Sequence, residues 1–576
     1  MFRHRFLLIL YPAQGHIHPA FQLAKRLVSL GAHVTVSTTV HMHRRITNKP
    51  TLPHLSFLPF SDGYDDGFTS SDFSLHASVF KRRGSEFVTN LILSNAQEGH
   101  PFTCLVYTTL LSWVAEVARE FHLPTAMLWT QPATILDIFY YYFHEHGEYI
   151  KDKIKDPSCF IELPGLPLLL APRDLPSFLL GSNPTIDSFI VPMFEKMFYD
   201  LDVETKPRIL VNTFEALEAE ALRAVDKFNM IPIGPLIPSA FLDGKDTNDT
   251  SFGGDIFRLS NGCSEWLDSK PEMSVVYVSF GSLCVLPKTQ MEELARALLD
   301  CGSPFLWVIK EKENKSQVEG KEELSCIEEL EQKGKIVNWC SQVEVLSHGS
   351  VGCFVTHCGW NSTMESLASG VPMVAFPQWV EQKTNAKLIE DVWKTGVRVD
   401  KQVNEDGIVE NEEIRRCLEE VMGSGEKGQE LRNNAEKWRG LAREAVKEGG
   451  SSDKNLRAFL DDVEDPEDTS LGGDLLPVSN GYVEWLDSKE DKSVVYISFG
   501  SYFVLSKRQT EEIASALLDS GFPFLWVIRV KEEEEGEEVC LRGVGREGEV
   551  GEVLFSGGGS VGCFVTHCGW NSTMES

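Results

Sequence analysis

The sequence predicts an α/β protein with two parallel-sheet domains, because short β-branched runs alternate with longer amphipathic helical stretches. Two further observations support more than one domain. The chain has 576 residues, enough for about three to four domains of ordinary size. A polar stretch at residues 243–262 separates two alternating series and has the composition of a linker. We therefore expect two Rossmann-like domains that face each other across a cleft, with ligands at the carboxyl ends of the strands.

The apolar pattern places individual elements in both series. In the first series, residues 1–242, we predict strands 6–11, 34–37, 104–107 and 125–128, and helices 19–30 and 112–121. In the second series, residues 263–445, we predict strands 275–279, 305–309, 353–356 and 373–376. Residues 446–463 contain a last helical stretch, 452–463, and we expect this helix to close the two-domain body.

The composition is that of a globular protein in a reducing compartment. Apolar residues make up 42% and charged residues 24% of the chain, which argues against disorder. The net charge of −31 argues against a nucleic-acid partner, because an acidic surface repels phosphate. The 13 cysteines form no C-x-x-C pair, and the apolar run 6–10 is too short for a signal peptide or a membrane span. We expect a cytosolic protein without membrane or nucleic-acid partners.

The chain contains an internal repeat. Residues 265–270 (EWLDSK) return as residues 484–489, at an offset of 219, and residues 349–366 return unchanged as residues 559–576, at an offset of 210. We interpret residues 464–576 as a truncated duplicate of residues 245–366, which adds an incomplete α/β repeat to the two domains. This segment carries −14 of the net charge, so the body is only moderately acidic.

A strand-to-helix junction in the second series has the features of a phosphate site. The predicted strand 353–356 leads into His357, and residues 361–363 (Asn-Ser-Thr) are of helix-capping type, with Glu365 in the expected first turn. A helix N-terminus presents backbone N–H groups that bind anions, and Gly359 would let a phosphate approach.

The residues from 339 to 382 read WCSQVEVLSHGSVGCFVTHCGWNSTMESLASGVPMVAFPQWVEQ. They resemble the signature box of plant secondary-product UDP-glycosyltransferases, and the resemblance extends over residues 1 to about 463. It implies the GT-B fold and a UDP-sugar bound mainly by the second domain. The donor contacts that it implies are Ser282, His357, Asn361, Ser362 and the Trp360 backbone at the diphosphate, Trp339 and Gln342 at the uracil, Glu365 at the ribose, Glu381 and Gln382 at the sugar hydroxyls, and Thr130, by position only, at the sugar.

His16 is the candidate general base. It belongs to residues 11–16, which we predict as a loop facing the cleft, and a histidine that titrates near neutrality can take a proton from an acceptor hydroxyl. The resemblance matches His16 to the catalytic base of the family. Many relatives pair this histidine with an Asp where the present chain has Thr108. A hydroxyl can orient an imidazole but supplies no compensating negative charge.

Two interpretations of Thr108 compete. Either the enzyme is slow, or its acceptor is already acidic, as a carboxylate or an activated phenol is. We favour the second interpretation. Residues 128–134 and the tyrosine cluster 140–142 resemble a subgroup that includes anthocyanin 5-O-glucosyltransferases and enzymes that form glucose esters of crocetin or auxin type.

The reaction that the resemblance implies is transfer of glucose from UDP-glucose to a small plant acceptor, with inversion. Gln382 and Trp360 fit glucose users, although Glu381 is longer than the Asp commonly found at its position. UDP-glucose is a co-substrate, so we expect no cofactor, and no Asp-x-Asp pair is placed to hold a metal. We expect a monomer whose partners are the donor and the acceptor.

Each donor residue also has a purely structural interpretation. Trp339 could be core, His357 a satisfied buried histidine and Glu365 a solvated charge, but their joint spacing favours the site. A zinc site is disfavoured because no second close cysteine pair supports it; its ligands would be His348, Cys353, His357 and Cys358. The alternative function is a catalytically impaired relic that binds UDP-sugar.

The second copy lacks parts of the donor box. Residues 549–552 (EVGE), or residues near them, stand where the first copy has residues 339–342, so no uracil platform remains, and residues 370–382 have no counterpart. We expect the duplicate to be non-functional, poorly packed and prone to aggregate, because it leaves strand edges unpaired. A tandem-gene fusion or a mis-joined gene model would produce such a tail.

Overall fold

The computed structural model describes residues 4–46, 49–68, 73–181, 184–242, 244–252, 262–310, 324–399, 407–463, 493–498, 507–520, 522–526, 548–550 and 561–566. The chain divides into two compact units, Met1–Thr469 and Ser470–Ser576. Among the helices in these ranges, none has the length and apolar character needed to cross a membrane.

Seven strands of the N-terminal half form one parallel sheet. They are β1 (Arg5–Ile9), β2 (His33–Ser37), β3 (Leu55–Phe57), β4 (Cys104–Thr108), β5 (Thr125–Trp129), β6 (Arg208–Val211) and β7 (Asn229–Pro232). Their order is β3-β2-β1-β4-β5-β6-β7. The connecting helices are α1 (Gln14–Ser29), α2 (Val40–Arg45), α3 (Phe73–Gln97), α4 (Trp113–Glu120), α5 (Ala133–Phe143), α6 (Gly147–Ile154) and α7 (Pro184–Val203). Both faces are covered, since Leu7 and Ile9 belong to one apolar cluster and Phe6 and Leu8 to another.

A second parallel sheet follows in the same unit. Its strands are β8 (Val275–Ser279), β9 (Phe305–Val308), β10 (Lys335–Val337), β11 (Val351–Thr356), β12 (Met373–Ala375) and β13 (Gly396–Arg398). Their order is β10-β9-β8-β11-β12-β13. The helices are α8 (Cys263–Asp268), α9 (Lys288–Cys301), α10 (Ile327–Lys333), α11 (Gln342–Leu346), α12 (Trp360–Ser369), α13 (Gln382–Lys387), α14 (Asn411–Met422) and α15 (Glu426–Val446).

The last helix of this unit, α16 (Ser451–Asp462), packs on the first sheet. Leu456 and Phe459 belong to the buried cluster that contains Phe6 and Leu8. The Ser452 hydroxyl donates a hydrogen bond to the Gly234 carbonyl (2.6 Å). The chain therefore returns to its N-terminal half after it has completed the second sheet.

The second unit repeats part of the second sheet. Its elements are β14 (Val494–Ser498), α17 (Lys507–Ser520), β15 (Phe524–Trp526), β16 (Gly548–Val550) and β17 (Val561–Thr566). The order β16-β15-β14-β17 is the order of β10-β9-β8-β11, and both sheets have a register shift at the same point of the β8–β11 and β14–β17 pairings. Within the described ranges β17 pairs with β14 alone, whereas β11 pairs with β8 and β12. Poor packing and aggregation of this unit stay predictions.

The α/β class and the two parallel sheets are confirmed, and each predicted strand lies within two residues of an observed one. The sequence prediction missed five strands of three or four residues, which are too short to leave a clear apolar pattern: β3, β6, β7, β10 and β13. It also placed the start of the first helix at residue 19, whereas α1 begins at Gln14.

Candidate active site between the two sheets

A cavity of about 390 Å³ lies where the carboxyl ends of the two sheets meet. Residues that follow β1 and β5 line one side, and residues that follow β8, β10, β11 and β12 line the other. Twelve predicted site residues come together there: His16, Thr130, Ser282, Trp339, Gln342, His357, Trp360, Asn361, Ser362, Glu365, Glu381 and Gln382. Thr108 ends β4 and is fully buried, and it does not belong to this lining.

The imidazole of His357 sits between two glycines. A Cβ atom on Gly281 would lie 2.6 Å from the ring, and one on Gly359 would lie 2.5 Å from Nε2. Gly281 also has φ +72°, a conformation that other residues rarely adopt. Both glycines are thus required to seat the imidazole. Burial, with a smaller contribution from the charge of Lys310, lowers the pKa of His357 to about 4, so the ring is neutral at pH 7.

Helix α12 begins next to this imidazole. Gly359 is its N-cap residue and has no side chain to cap it. The prediction that residues 361–363 cap the helix, with Glu365 in its first turn, is therefore wrong, because the helix already begins at Trp360 and places Glu365 in the second turn. The Glu381 carboxyl group accepts the backbone N–H of Trp360, so an anion in the cavity would be bound by the N–H groups that follow Trp360 in the first turn.

Asn361 connects the second domain to the first. Its Nδ2 donates to the carbonyl of Gly15 (3.1 Å). Within α1, this carbonyl would ordinarily accept the N–H of residue 19, which is Pro19 and has none. The side chain of Asn361 replaces the missing donor, which explains how α1 continues through Pro19. The prediction of a loop over residues 11–16 is correspondingly wrong for His16, which lies in the first turn of α1.

The side chain of His16 is partly buried, and its imidazole is neutral at pH 7. Burial lowers its pKa to about 4, so the expectation that it titrates near neutrality is not met. Its Nδ1 is buried and has no hydrogen-bond partner within the described part of the chain. Thr108 does not orient it, since the Thr108 hydroxyl accepts the backbone N–H of Tyr11 instead (2.8 Å). The ring of Tyr11 lies 5.2 Å from that of His16, between centroids.

Gln342 connects Ser362 and Glu365 on one side of the cavity. Its Nε2 donates to Ser362 Oγ (2.8 Å) and to Glu365 Oε2 (3.0 Å). Burial raises the pKa of Glu365 to about 8, although the hydrogen bond from Gln342 opposes this shift. The amide nitrogen of Gln342 is thus engaged within the protein.

Trp339 has a cationic neighbour that the sequence prediction missed. Lys310 Nζ lies 5.7 Å from the centre of the Trp339 ring, and its charge also lowers the pKa of His357. Lys310 follows β9 directly, so its position at the carboxyl edge of the sheet could have identified it. Lys310 is thus a cation close to both Trp339 and His357, although it does not belong to the cavity lining.

Glu381 and Gln382 stand at the end of the loop after β12. Burial raises the pKa of Glu381 to about 7, against the opposing backbone N–H groups of Glu381 and Trp360. Gln382 Oε1 accepts the N–H groups of Gln378 (2.9 Å) and Trp379 (3.1 Å). These bonds fold the loop and leave the amide N–H₂ of Gln382 as its donor toward the cavity.

The side chain of Trp360 has a separate role. It is 2% exposed, and its Nε1 donates to the carbonyl of Asn212 in the first domain (2.8 Å). No motif surrounds Asn212 in the sequence, so this domain contact could not be predicted. Among the described residues, no three His, Cys, Asp or Glu side chains converge to hold a metal ion. His348, one of the zinc candidates, instead contacts Ser350 and Asp268.

Two parallel-sheet domains, an anion-binding helix end and an aromatic side chain at one cavity define a transferase of the GT-B class that uses a nucleoside diphosphate donor. The family described as "UDP-glucoronosyl and UDP-glucosyl transferase" matches residues 189–425. The chain is 59% identical, over 477 residues, to the phloretin 4'-O-glucosyltransferase of Malus domestica; the alignment covers 80% of this chain and 98% of the relative. It is 56% identical to the crocetin glucosyltransferase, chloroplastic, of Gardenia jasminoides, with 79% and 97% covered.

Among solved structures, Os79 from O. sativa in complex with UDP is similar, with a TM-score of 0.69 and 34% identity over 80% of this chain and 100% of the other. The protein belongs to the family of UDP-dependent glycosyltransferases. This confirms the resemblance and the GT-B fold.

Proposed function

We propose that the protein transfers glucose from UDP-glucose to a phenolic hydroxyl or a carboxylate of a small plant molecule, with inversion at the sugar. The observation that carries this proposal is a cavity to which both domains contribute. His16 from the first domain and His357 and Trp339 from the second domain line the same cavity. Binding and base functions thus meet at one place.

In the proposed reaction His16 removes the proton of the acceptor, and the acceptor oxygen attacks C1 of glucose from the face opposite UDP. The bond from the acceptor oxygen to C1 forms while the bond from C1 to the phosphate oxygen breaks, and UDP leaves with the electron pair. N–H groups at the start of α12, with His357, stabilise the leaving diphosphate. The reaction needs no cofactor besides its co-substrate.

The environment of His16 supports an acidic acceptor. An imidazole with a pKa of about 4 is a weak base, and no described carboxylate contacts its Nδ1 to stabilise the protonated form. Proton transfer from a phenol, whose pKa is about 10, is far less unfavourable than transfer from an aliphatic alcohol. A carboxylate needs no proton transfer. The two relatives support both classes, since one is named for the 4'-O position of phloretin and the other for crocetin.

The test is a measurement of UDP release from UDP-glucose with matched phenols, carboxylic acids and aliphatic alcohols. We expect phenols and carboxylates to react and alcohols to react far more slowly, with a β-linked product by nuclear magnetic resonance. Alcohols that react as fast as phenols would contradict the acidic-acceptor assignment. Binding of UDP-glucose without UDP release across the panel would instead support the alternative, a catalytically impaired protein that only binds UDP-sugar.

We also propose that the protein acts as a cytoplasmic monomer without nucleic-acid or membrane partners. The acidic net charge of −31 supports the absence of a nucleic-acid partner. Light scattering of the purified chain and fractionation of plant cells would test the two assignments. A dimer, or recovery with chloroplasts, where the name of the Gardenia relative places that enzyme, would contradict them.

A further inference from the structure

The loop that carries Glu381 and Gln382 contains a strained residue. Val380 has φ +59°, and a β-branched side chain is a conformational outlier in this left-handed region. Such a conformation persists only where the surrounding structure holds it. Val380 directly precedes Glu381, so its backbone determines where the two proposed sugar contacts lie.

One residue of the first domain holds both backbone groups of Val380. Ser177 begins the 3-10 helix Ser177–Leu180 and is 8% exposed. Its Oγ accepts the N–H of Val380 (2.8 Å), and its own N–H donates to the carbonyl of Val380 (2.9 Å). The two residues thus form a reciprocal pair of hydrogen bonds across the domain boundary.

A second set of contacts fixes the segment to which Ser177 belongs. Asp174 and Arg398, both nearly fully buried, form an ion pair across the same boundary (2.6 Å). The carbonyl of Asp174 also accepts the hydroxyl of Thr384, on α13 (2.6 Å). The segment is therefore attached to the second domain at Thr384 and Arg398 as well as at Val380, which makes Ser177 a stable support for Val380.

The consequence for the site is local. The pair acts on the loop after β12, whereas the aromatic side chain of Trp339 and the ribose group Glu365 stand on other elements. A disturbance at Ser177 thus reaches the sugar end of the cavity before the nucleotide end. Glu381, whose carboxyl group meets the backbone N–H of Trp360 at the start of α12, would move first.

We propose that Ser177 is a positioning residue for sugar recognition: its reciprocal hydrogen bonds hold Val380 in the left-handed conformation and so place Glu381 and Gln382 against the sugar. This inference rests on the proposed use of UDP-glucose. It makes recognition of the sugar, but not of UDP, depend on contact between the two domains.

The test compares dissociation constants of UDP and UDP-glucose, by calorimetry without acceptor, for the full chain and its variants. Ser177→Ala should weaken UDP-glucose about five- to tenfold, the effect of one ordinary hydrogen bond, and leave UDP within about twofold. The matched control is Ser158→Ala, at an exposed serine that bonds only locally to Asp156, which should change neither constant.

A double-mutant cycle separates positioning from general loosening. Val380→Gly relieves the strain, so Ser177→Ala in that background should change the UDP-glucose constant by less than about twofold. Equal losses for UDP and UDP-glucose, or the same loss in both backgrounds, would overturn the positioning role. A wild-type chain that binds UDP but gains nothing from the glucose group would overturn the proposed function itself, before any variant is compared.

Discussion

The four strands β8–β11 and the four strands β14–β17 differ in what surrounds them rather than in how they are arranged. Strand order and register agree, down to the same irregularity. The cavity, however, also needs His16 and Thr130 from the first domain and Glu381 and Gln382 from the loop after β12. Residues 370–382 occur once in the sequence. The comparison teaches that a duplicated segment can specify a sheet locally, whereas the site depends on elements distant in the chain.

The largest expected difference between the two copies concerns their identical histidines, His357 and His567. His357→Ala removes a group proposed to stabilise the leaving diphosphate and should lower kcat/KM about 10²- to 10³-fold. His567→Ala should leave kcat/KM unchanged. Steady-state rates of UDP release measure both. A comparable loss from His567→Ala would mean that the second copy takes part in catalysis.

Trp339 should give the next largest difference between the two copies. In the pairing of β16 with β15, Glu549 lies opposite Leu525, as Lys335 lies opposite the equivalent Leu306 in the pairing of β10 with β9. Counting on from these residues makes Val553 the sequence counterpart of Trp339. Trp339→Ala should raise the KM for UDP-glucose about 10- to 100-fold, because stacking on a base contributes about 1–3 kcal/mol. Val553→Ala serves as the matched control and should have no effect. A KM that stays constant in Trp339→Ala would argue that this residue is core and not a platform.

Gly281 and its counterpart Gly500, which precede Ser282 and Ser501 in the two copies, should also behave differently. Gly281 has φ +72°, and a Cβ there would meet the His357 ring at 2.6 Å. Gly281→Ala should destabilise the protein by about 1–3 kcal/mol and displace His357. The measurement is the midpoint of thermal unfolding with and without UDP. Gly500→Ala should not change the protection that UDP provides, and an equal loss of protection in both variants contradicts the assignment.

Histidine protonation should affect kcat/KM only weakly in the pH range in which an exposed histidine would titrate. Burial lowers the pKa values of His16 and His357 to about 4, so both rings stay neutral in the folded protein well below pH 6.5. With a phenol acceptor, protonation of His16 should lower kcat/KM only as the pH approaches 4. Any change between pH 7.5 and about 5.5 should instead come from Glu381 and Glu365, whose pKa values burial raises to about 7 and about 8. An acid limb centred near pH 6.5 that persists in Glu381→Gln and in Glu365→Gln would contradict the lowered pKa of His16.

The lowered pKa values of His16 and His357 also affect the stability of the folded protein. Because the unfolded chain protonates these histidines at about pH 6.5 and the folded chain only near pH 4, the stability contributed by the two neutral rings is lost as the pH falls through that window. The buried Glu365 and Glu381, whose pKa values are raised to about 8 and about 7, contribute in the opposite direction, so the histidine contribution is isolated by comparison with a variant. Relative to His16→Gln, the midpoint of thermal unfolding of the unsubstituted chain should fall between pH 7 and pH 4.5.

The sequence predicted the fold class, the central strands and the composition of the cavity lining, because buried parallel strands and a contiguous motif leave local patterns. It could not predict how the residues engage one another. The role of Pro19 in freeing the Gly15 carbonyl for Asn361 depends on a contact between residues more than 300 positions apart. Thr108, which the sequence placed beside the histidine, instead supports Tyr11. Ser177, Asn212 and Arg398 carry no motif, since their partners lie in the other domain.

The most direct test of the account compares initial rates of UDP release, with UDP-glucose and a phenol acceptor, for the full chain and for a chain ending at Val463. Relatives that align over nearly their whole length cover only 80% of the present chain, which makes the shortened chain a reasonable folded unit. The two chains should have equal kcat/KM values within about twofold, as expected if the second unit is independent of the site. A shortened chain that folds and binds UDP-glucose but no longer transfers glucose would contradict this prediction.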